Sequence, residues 1–405
     1  MRLAIDAMGG DDAPDAIIEG VVDYARAHPE VSVLAVGQSD AIYHSLGKLG
    51  ATPANVVIHE APEVIAMGDK ITALRDKPND SMNTCARLLK EGGADAMVLC
   101  GNTACSVAAS QLHLGRINGV KRAGILTPLP HINGTTWVID CGANSTAKPE
   151  YLVQWAEMGA AFVTCYSGIT APRVGVLSIG TEEGKGDDLT AQSLELLKQH
   201  ANLNLIGLVE GNHVFNDTVD VVVCDGFTGN VLLKSAEGTA SAIGQIIKDG
   251  IHKSLRAKLG AWLMRPAFDH LKQRTHWSNV GGALLVGVNG ITVIGHGRSN
   301  RVAVAHALRQ AQRCVQGNLI QTMRELLAQP SQVGSQRRSS FLDSVKSFFT
   351  GSGENESRGG EQNRDNTQPS APDNHDYRNI SNKKTQRLDP LDKTPDHQRP
   401  TRHDD

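Results

Sequence analysis

The chain has 405 residues, 40% of them hydrophobic, which is enough for one large core or two ordinary ones. Only 4% of the residues are aromatic and 41 are glycine, which favours an α/β enzyme over a protein that binds nucleic acid by base stacking. The formal net charge of −3 gives the chain no general attraction to polyanions, so any basic patch must be local.

Cysteine usage and hydropathy indicate a cytoplasmic protein. The seven cysteines are odd in number and lie mostly in apolar or glycine-rich surroundings, as expected for reduced, buried thiols. A strand pattern begins directly after Met1 with no signal-like segment, and no window approaches 18 uninterrupted apolar residues. We therefore expect a cytoplasmic chain whose membrane contact, if any, is peripheral.

The first sixty residues alternate strand and helix patterns, which predicts a parallel sheet. A strand at Leu3–Asp6 delivers Asp6 to a turn in which Gly9 and Gly10 allow the backbone to approach a ligand closely, with Asp11 beside them. The elements predicted next are a helix at Ala16–Arg26, a strand at Val31–Val36, a helix at Asp40–Lys48 and a strand at Val56–Ile58.

A second turn of small polar residues follows a strand at Ala96–Leu99. Its residues are Gly101, Asn102 and Thr103. A parallel sheet would bring this turn close to the turn after Asp6. Between the two, Ser81 is expected to cap a helix that runs to Lys90, and the charged segment Met67–Lys77 is interpreted as a solvated face, on a loop or short helix.

The middle of the chain continues the alternation. Strands are predicted at Ala123–Thr127 and Thr136–Ile139, the second leading to Asp140–Asn144, and a helix at Pro149–Phe162. A further strand, Val174–Ser178, runs into a glycine-flanked lysine, Lys185. This segment nearly resembles a phosphate-binding loop, but its glycines are one residue too close and Gly186 stands where Ser or Thr would bind magnesium.

The segment from Asp220 to Gly238 carries the strongest indication of chemistry. An unbroken apolar run, Val221–Cys224, is typical of a buried parallel strand, and it ends in Asp225, Gly229 and Asn230 before a helical pattern. The start of such a helix offers free N–H groups to an anion. The alternative is a plain turn in which Asp225 and Asn230 are helix caps.

A basic, amphipathic helical region is predicted between residues 241 and 275. Ile251, Leu255, Leu259, Trp262 and Leu263 recur at helical spacing, and the surrounding cations include Arg256, Lys258 and Arg265. Three interpretations remain open: a membrane-surface helix, a dimer contact, and a docking surface for an acidic carrier protein. A strand at Ile291–Ile294 and a helix at Val302–Leu327 complete the domain, expected to span residues 1–329.

The last segment, 330–405, is polar and poor in apolar residues, so we expect it to be disordered. Within it, Phe341, Leu342, Val345, Phe348 and Phe349 recur at helical spacing near basic residues, which predicts a short docking helix.

Six segments in order resemble the phosphate acyltransferases of bacterial membrane-lipid synthesis, the PlsX family, over about residues 1–325. They are DAMGGDDAP (Asp6–Pro14), GADAMVLCGNTA (Gly93–Ala104), VGVLSIGTEEGKG (Val174–Gly186), EGN (Glu210–Asn212), VDVVVCDGFTGNVLLKSAEG (Val219–Gly238), and GGALLVGVNG (Gly281–Gly290) with GHGRSN (Gly295–Asn300).

The resemblance implies a glycine-rich α/β sandwich, with a parallel or mixed sheet like that of phosphotransacetylases and isocitrate-type dehydrogenases, and a homodimer. It also implies transfer of an acyl chain from acyl carrier protein to inorganic phosphate, giving acyl phosphate that a membrane acyltransferase would use. Carried over by motif, Lys185, Asp225 and Asn230 are the expected catalytic residues. No cofactor, metal or nucleic-acid partner is expected.

The chemistry agrees with these residue types. Phosphate is already a nucleophile, and a thiolate whose conjugate acid has a pKa near ~8.5 leaves easily, so the enzyme mainly needs positioning and charge neutralisation. Lys185 and Asn230, with nearby backbone N–H groups, would neutralise charge, while Asp225 would orient Lys185 or accept a phosphate proton. Cys100 and Cys105 are predicted to be small fillers near the acyl chain that bind no metal.

Other interpretations are a coenzyme A-dependent phosphotransacetylase, a non-catalytic membrane scaffold and, least favoured, a nicotinamide dehydrogenase. No G-x-G-x-x-G follows a strand, and no G-x-S-x-G nucleophile motif occurs. Structural roles are expected for four histidines, His113, His131, His213 and His296.

Overall fold

A computed structural model describes residues 1–275 and 281–327 of the chain. The predicted tail at 330–405, including its docking helix, lies outside these residues. In the described part the strands are β1 (Arg2–Asp6), β2 (Ser32–Gly37), β3 (Val56–Glu60), β4 (Ala96–Leu99), β5 (Gly124–His131), β6 (Gly134–Ile139), β7 (Arg173–Leu177), β8 (Asn204–Val209), β9 (Val221–Val223), β10 (Ala283–Val286) and β11 (Ile291–Ile294).

The helices of the described part are numbered in chain order. They are α1 (Asp15–Ala27), α2 (Ser39–Gly47), α3 (Ala73–Asp76), α4 (Ser81–Lys90), α5 (Thr103–Leu114), α6 (Pro149–Ser167), α7 (Asp188–Lys198), α8 (Gly226–His252), α9 (Leu255–Leu263), α10 (Arg265–Thr275), α11 (Arg301–Gln316) and α12 (Leu319–Leu327), with one 3-10 turn at Gly211–Phe215.

All the described strands join one sheet in the order β3-β2-β1-β4-β11-β10-β5-β6-β9-β7-β8. The first five are parallel to one another, and so are the last four. Between these halves, β10 is antiparallel to both neighbours and β5 is antiparallel to β6. The two parallel halves therefore run in opposite directions, and their strands end at opposite ends of the sheet.

Helices cover both faces of the sheet. In β1, Leu3 and Ile5 belong to the core that contains Ile17 and Val21 of α1, whereas Ala4 belongs to the core that contains Met82 of α4. Successive side chains of a strand point to opposite faces, so this division defines a three-layer α/β/α structure. The predicted α/β fold class is confirmed, with a mixed sheet built of two parallel halves.

Two local predictions were wrong, and one strand was missed. The N-cap of α4 is Asp80, whose carboxylate accepts hydrogen bonds from the backbone N–H groups of Met82 and Asn83, and not Ser81. The predicted helix Val302–Leu327 is divided into α11 and α12 at Asn318, which has a φ of 56°. No strand was predicted at Ala283–Val286, where β10 pairs antiparallel with β5 and β11.

The charged segment before α4 is anchored to the body of the protein. Lys77 forms an ion pair of 2.7 Å with Asp69, and Leu74 on α3 is buried. The carbonyl oxygens of Met67 and Asp69 each accept a hydrogen bond of 2.9 Å from the Asn102 amide. The interpretation of this segment as a solvated face is therefore only partly correct, because its backbone packs against the turn after β4.

The amphipathic region consists of three helices and not one. Helix α8 continues without interruption from the Asp225 turn to His252, and from Gly238 to Gly250 its residues are all exposed. A new helix, α9, begins after Ser254, whose hydroxyl accepts a hydrogen bond from the Ala257 N–H. Ile251 therefore belongs to α8 and not to the apolar face of α9. Among the described helices, none is long and apolar enough to cross a membrane.

The contact between α1 and α11 leaves no space for a side chain at Gly20. A Cβ there would lie 2.5 Å from Val304 Cβ and 2.6 Å from the Arg301 carbonyl oxygen. We predict that Gly20→Ala destabilises the protein by about 1–3 kcal/mol, because overpacking forces helices apart. Gly47→Ala in α2 is the matched control, since a Cβ there meets nothing within 4 Å. Urea denaturation of both variants tests this, and equal stability would contradict it.

Candidate functional site

Neighbouring parallel strands carry three of the predicted polar loops to one end of the sheet. Strands β6, β9 and β7 lie side by side and end at Ile139, Val223 and Leu177. Loops 140–144, 178–187 and 224–230 therefore leave the sheet at the same end, and together we call them the second loop cluster. It contains Lys185, Asp225, Gly229 and Asn230.

Asp225 is the N-cap of α8. Its Oδ1 accepts hydrogen bonds of 3.0 Å from the N–H groups of Phe227 and Thr228, and its Oδ2 accepts one of 2.6 Å from the Thr228 hydroxyl. Within the described residues its carboxylate forms no ion pair with Lys185. The interpretation that Asp225 orients Lys185 is therefore not supported by this conformation, whereas its role as a cap is confirmed.

The first turn of α8 does not present free N–H groups, contrary to the expectation from sequence. The N–H of Gly226 donates to the Asn144 carbonyl oxygen at 2.9 Å, and that of Gly229 to the Asp225 carbonyl oxygen at 3.0 Å. Since Asp225 also binds the two N–H groups between them, the donors of this turn already have acceptors. Any anion bound here must be neutralised mainly by side chains.

Asn230 and Lys185 supply such side chains. Both are exposed, and neither side chain makes a hydrogen bond or ion pair with the residues that the structure describes. Asn230 lies against the loop after β6, with its Cβ 3.8 Å from the position of a Cβ built on Gly142. Asn230 lies inside α8, so the alternative in which it is a helix cap is wrong.

The lysine loop is shaped by two glycines and attached to α7. Gly184 and Gly186 have φ values of 87° and 99°, a backbone region that favours glycine. Glu183 forms an ion pair of 2.7 Å with Lys198 near the end of α7. Lys185, between the glycines, is thereby carried on a short exposed loop.

The remaining predicted substrate-binding residues gather at the opposite end of the sheet, in what we call the first loop cluster, at residues 6–14, 100–103 and 295–300. Gly9 is in close contact with Asp6, and a Cβ on it would lie 2.8 Å from the Gly101 nitrogen. Gly10 has a φ of 109°, and the neighbouring Asp11 N–H donates to the Gly297 carbonyl oxygen. The predicted proximity of the two turns is confirmed.

Most polar groups of the first loop cluster form hydrogen bonds that stabilise its own loops. Asn102 caps α5 by accepting a hydrogen bond from the Cys105 N–H, while Thr103 is exposed. Asp6 is fully buried, and burial raises its pKa to about 6 despite a hydrogen bond from the Met8 N–H. Cys100 and Cys105 are buried, as predicted.

Helix α8 connects the two clusters. It begins in the second, and further along it Lys234 and Glu237 act on His296 in the first. Burial lowers the pKa of His296, Lys234 lowers it further, and Glu237 opposes them. The predicted site residues are thus divided between two ends of the sheet, with Gly229 apart from the other predicted substrate-binding residues.

Two of the histidines take structural roles. His113 Nε2 lies 2.7 Å from Asn83 Oδ1, and His213 Nδ1 accepts a hydrogen bond of 3.1 Å from the Glu210 N–H. Among the described residues, no group of three or more His, Cys, Asp or Glu side chains is arranged to hold a metal ion.

Asp140 lies in the second loop cluster, although no role for it was predicted from the sequence. Its carboxylate accepts several hydrogen bonds from the loop that contacts Asn230. The sequence feature that could have indicated such a role is an aspartate at the end of a buried strand, followed by glycine and asparagine. Lys198, which attaches the lysine loop, gave no sequence signal.

Comparison with known proteins identifies the family. A sequence profile described as "Fatty acid synthesis protein" matches residues 1–322. A protein named phosphate acyltransferase from Desulfitobacterium hafniense is 44% identical over 329 residues, which cover 81% of this chain and 98% of that protein. This chain belongs to the phosphate acyltransferase family. The family resemblance and the assignment as an acyltransferase are confirmed.

A second relative and one solved structure are also similar to this chain. The phosphate acyltransferase of Bacillus subtilis is 40% identical over 327 residues, covering 80% of this chain and 97% of that protein. A phosphotransacetylase from Streptococcus pyogenes superposes with a TM-score of 0.54 at 17% identity, covering 78% of this chain and 94% of its own. That likeness confirms the fold predicted for the family.

The capping role of Asp225 makes a quantitative prediction. Asn caps helices about as well as Asp, whereas Ala removes the cap and costs about 1 kcal/mol. We therefore expect Asp225→Asn to match the wild type in urea denaturation and Asp225→Ala to be less stable. Asp187→Ala, at the N-cap of α7, is the positive control, because Asp187 accepts a hydrogen bond from the Thr190 N–H. An Asp225→Asn protein as unstable as Asp225→Ala would contradict the capping role.

Proposed function

We propose that this chain transfers a fatty acyl group from acyl carrier protein to inorganic phosphate, giving acyl phosphate for phospholipid synthesis. The observation that carries the proposal is the family match, which extends over nearly the full length of relatives named phosphate acyltransferase. The unpaired Lys185 and Asn230 side chains at one end of the sheet supply donors for the negative charges of this reaction.

The proposed reaction needs only bond exchange and charge stabilisation. A phosphate oxygen attacks the thioester carbonyl carbon, the new C–O bond forms, the C–S bond breaks, and the thiolate takes a proton from solvent. Lys185 and Asn230 stabilise charge on the phosphate and the carbonyl oxygen, which develops an additional negative charge in the transition state. The Asp225 Oδ2, which accepts one bond from Thr228, retains a lone pair for a phosphate proton.

The first loop cluster is proposed to contact the rest of the substrate. Asp6, Gly9, Gly10, Asp11 and Gly101 follow the ends of β1 and β4, together with Asn102 and Thr103. Cys100 and Cys105 are completely buried beside these residues, so in this proposal they shape the acyl-chain site by packing behind it.

The direct test is phosphate-dependent release of free thiol from palmitoyl carrier protein by the purified full-length chain. We expect release with phosphate and none without it, and slower reaction with palmitoyl coenzyme A. Faster reaction with the coenzyme A thioester would favour a phosphotransacetylase-like enzyme. No release from either thioester would contradict the proposal and favour a non-catalytic scaffold.

Lys185→Ala is predicted to reduce turnover by about 10²–10³-fold, because a preorganised charge donor is lost. The fold should be unaffected, since the side chain is exposed. Lys48→Ala, which removes a surface lysine paired with Asp15, is the control and should retain full turnover. Near-normal turnover of folded Lys185→Ala would remove Lys185 from the mechanism.

We further propose that the protein acts as a homodimer at the cytoplasmic membrane surface, where a membrane acyltransferase consumes its product. Helix α9 supports the membrane contact, because Leu255, Leu259, Trp262 and Leu263 are exposed on it, Leu255 by 83% and Trp262 by 68%. The neighbouring cations are Arg256, Lys258 and Arg265. Each basic residue near an anionic membrane contributes roughly 1 kcal/mol to the free energy of membrane binding.

Vesicle co-sedimentation tests this surface. We predict that Leu259→Glu/Trp262→Glu no longer sediments with anionic vesicles, while Tyr43→Glu/Leu112→Glu, which alters exposed apolar residues elsewhere, still does. Sedimentation of the α9 variant like the wild type would exclude α9 as the anchor. Dissociation of that variant into monomers would favour the dimer contact, and a selective loss of activity with acyl carrier protein would favour carrier docking.

A further inference from the structure

Asp140, at the end of β6, is a completely buried carboxylate surrounded by hydrogen-bond donors. Its Oδ1 accepts from the N–H groups of Ile125, Gly142 and Ala143 at 2.9, 3.2 and 3.1 Å. Its Oδ2 accepts from the backbone N–H and side-chain amide of Asn144 at 2.7 and 3.0 Å. Burial raises the pKa of Asp140, and these hydrogen bonds oppose the shift.

These bonds curl the chain after β6 into a fixed loop. Three consecutive residues, 142–144, direct their N–H groups at one carboxylate, while Ile125 connects it to the adjacent strand β5. The Asn144 amide also donates to the Ala123 carbonyl oxygen at 2.7 Å, which fixes the far end of the loop. All partners of the carboxylate are N–H donors. An amide or hydroxyl in place of the carboxylate would direct its own N–H or O–H group at one of them.

The first turn of α8 rests on this loop. The Gly226 N–H donates to the Asn144 carbonyl oxygen at 2.9 Å, and a Cβ on Gly226 would lie 2.7 Å from Asp140 Oδ2. Gly229 packs so closely on the Asp140 carbonyl oxygen that a Cβ would overlap it. Gly142 lies beside the Asn230 side chain. Contact with this loop is therefore sufficient to explain why both positions of α8 are glycine.

We propose that Asp140 is a positioning residue for Asn230. Its carboxylate holds residues 141–144 in place, and the first turn of α8 packs against them. The position of this turn determines the direction in which Asn230 faces the reacting phosphate. This inference rests on the proposed function for its kinetic consequence. It does not require Asp140 to touch substrate. A misplacement of a catalytic group by about 1 Å can cost about 10²-fold in rate, which sets the expected effect.

The test is a double-mutant cycle of Asp140→Asn with Asn230→Ala in the full chain, measured by phosphate-dependent thiol release. We expect Asp140→Asn to lower kcat about 10²-fold and to have little further effect when Asn230 is already Ala, because residues that act as a unit are non-additive. Asp220→Asn is the control. Asp220 accepts hydrogen bonds from Arg173 near the start of β9, the strand that ends at α8, and its substitution should leave kcat unchanged.

Two results would overturn the proposal: wild-type kcat in folded Asp140→Asn, or effects that multiply in the double variant. If Asp140→Asn fails to fold, Asn144→Ala replaces it in the same cycle, since it removes one donor to Asp140 and the bond to Ala123. Failure of the reaction itself is recognised separately, because the wild type then releases no thiol.

Hydrogen–deuterium exchange tests the positioning without any activity. In the Asp140 or Asn144 variant, amides of residues 226–230 should exchange faster than in the wild type, whereas Asp220→Asn should leave them protected. Unchanged protection of that turn in the Asp140 or Asn144 variant would overturn the inference even if the proposed reaction were absent.

Discussion

The close packing of α8 on the loop after β6 is the constraint on which the candidate site depends. Two glycines in the first turn, Gly226 and Gly229, permit a contact in which no Cβ fits. On the other side of the contact, a single buried carboxylate gathers the loop. Such an arrangement satisfies the backbone donors internally, so the site's free donors are side chains, and their direction is determined by packing.

The reversal of strand direction in the sheet explains why the glycine-rich segments form two clusters. Because β10 and β5 intervene between two parallel halves, the loops after β1 and β4 leave one end and those after β6, β7 and β9 leave the other. Helix α8 begins in the second loop cluster, and its Lys234 and Glu237 act in opposite directions on the pKa of His296 in the first. Its residues from Gly238 to Gly250 are exposed and lead to α9.

Much of this fold follows from local sequence, and the exceptions have physical reasons. The apolar run at Val221–Val223 and the N-cap at Asp225 were both predictable, because burial and helix capping leave strong local patterns. The strand β10 was missed because its apolar run is short and lies between glycines. It is recognised as a strand only from its pairing with β5. Likewise, Asp80 and Ser81 are both good N-caps, and only the backbone shows which one accepts the bonds.

The candidate site was less predictable than the fold. Sequence motifs indicated Lys185, Asp225 and Asn230, but they gave no indication that the N–H groups of α8 are already bound, or that Asp225 forms no ion pair with Lys185. Such facts depend on contacts between segments far apart in the chain. The contribution of Asp140 likewise appears only when Asn144 and Gly226 are brought together.

The most direct measurement is a crystal structure of the full chain with inorganic phosphate bound. We predict phosphate in the second loop cluster, within hydrogen-bond distance of Lys185 Nζ and the Asn230 side-chain amide, with the Asp140 loop unchanged. Phosphate bound instead among Gly9, Gly10 and Gly101, without contact to Lys185 or Asn230, would contradict it.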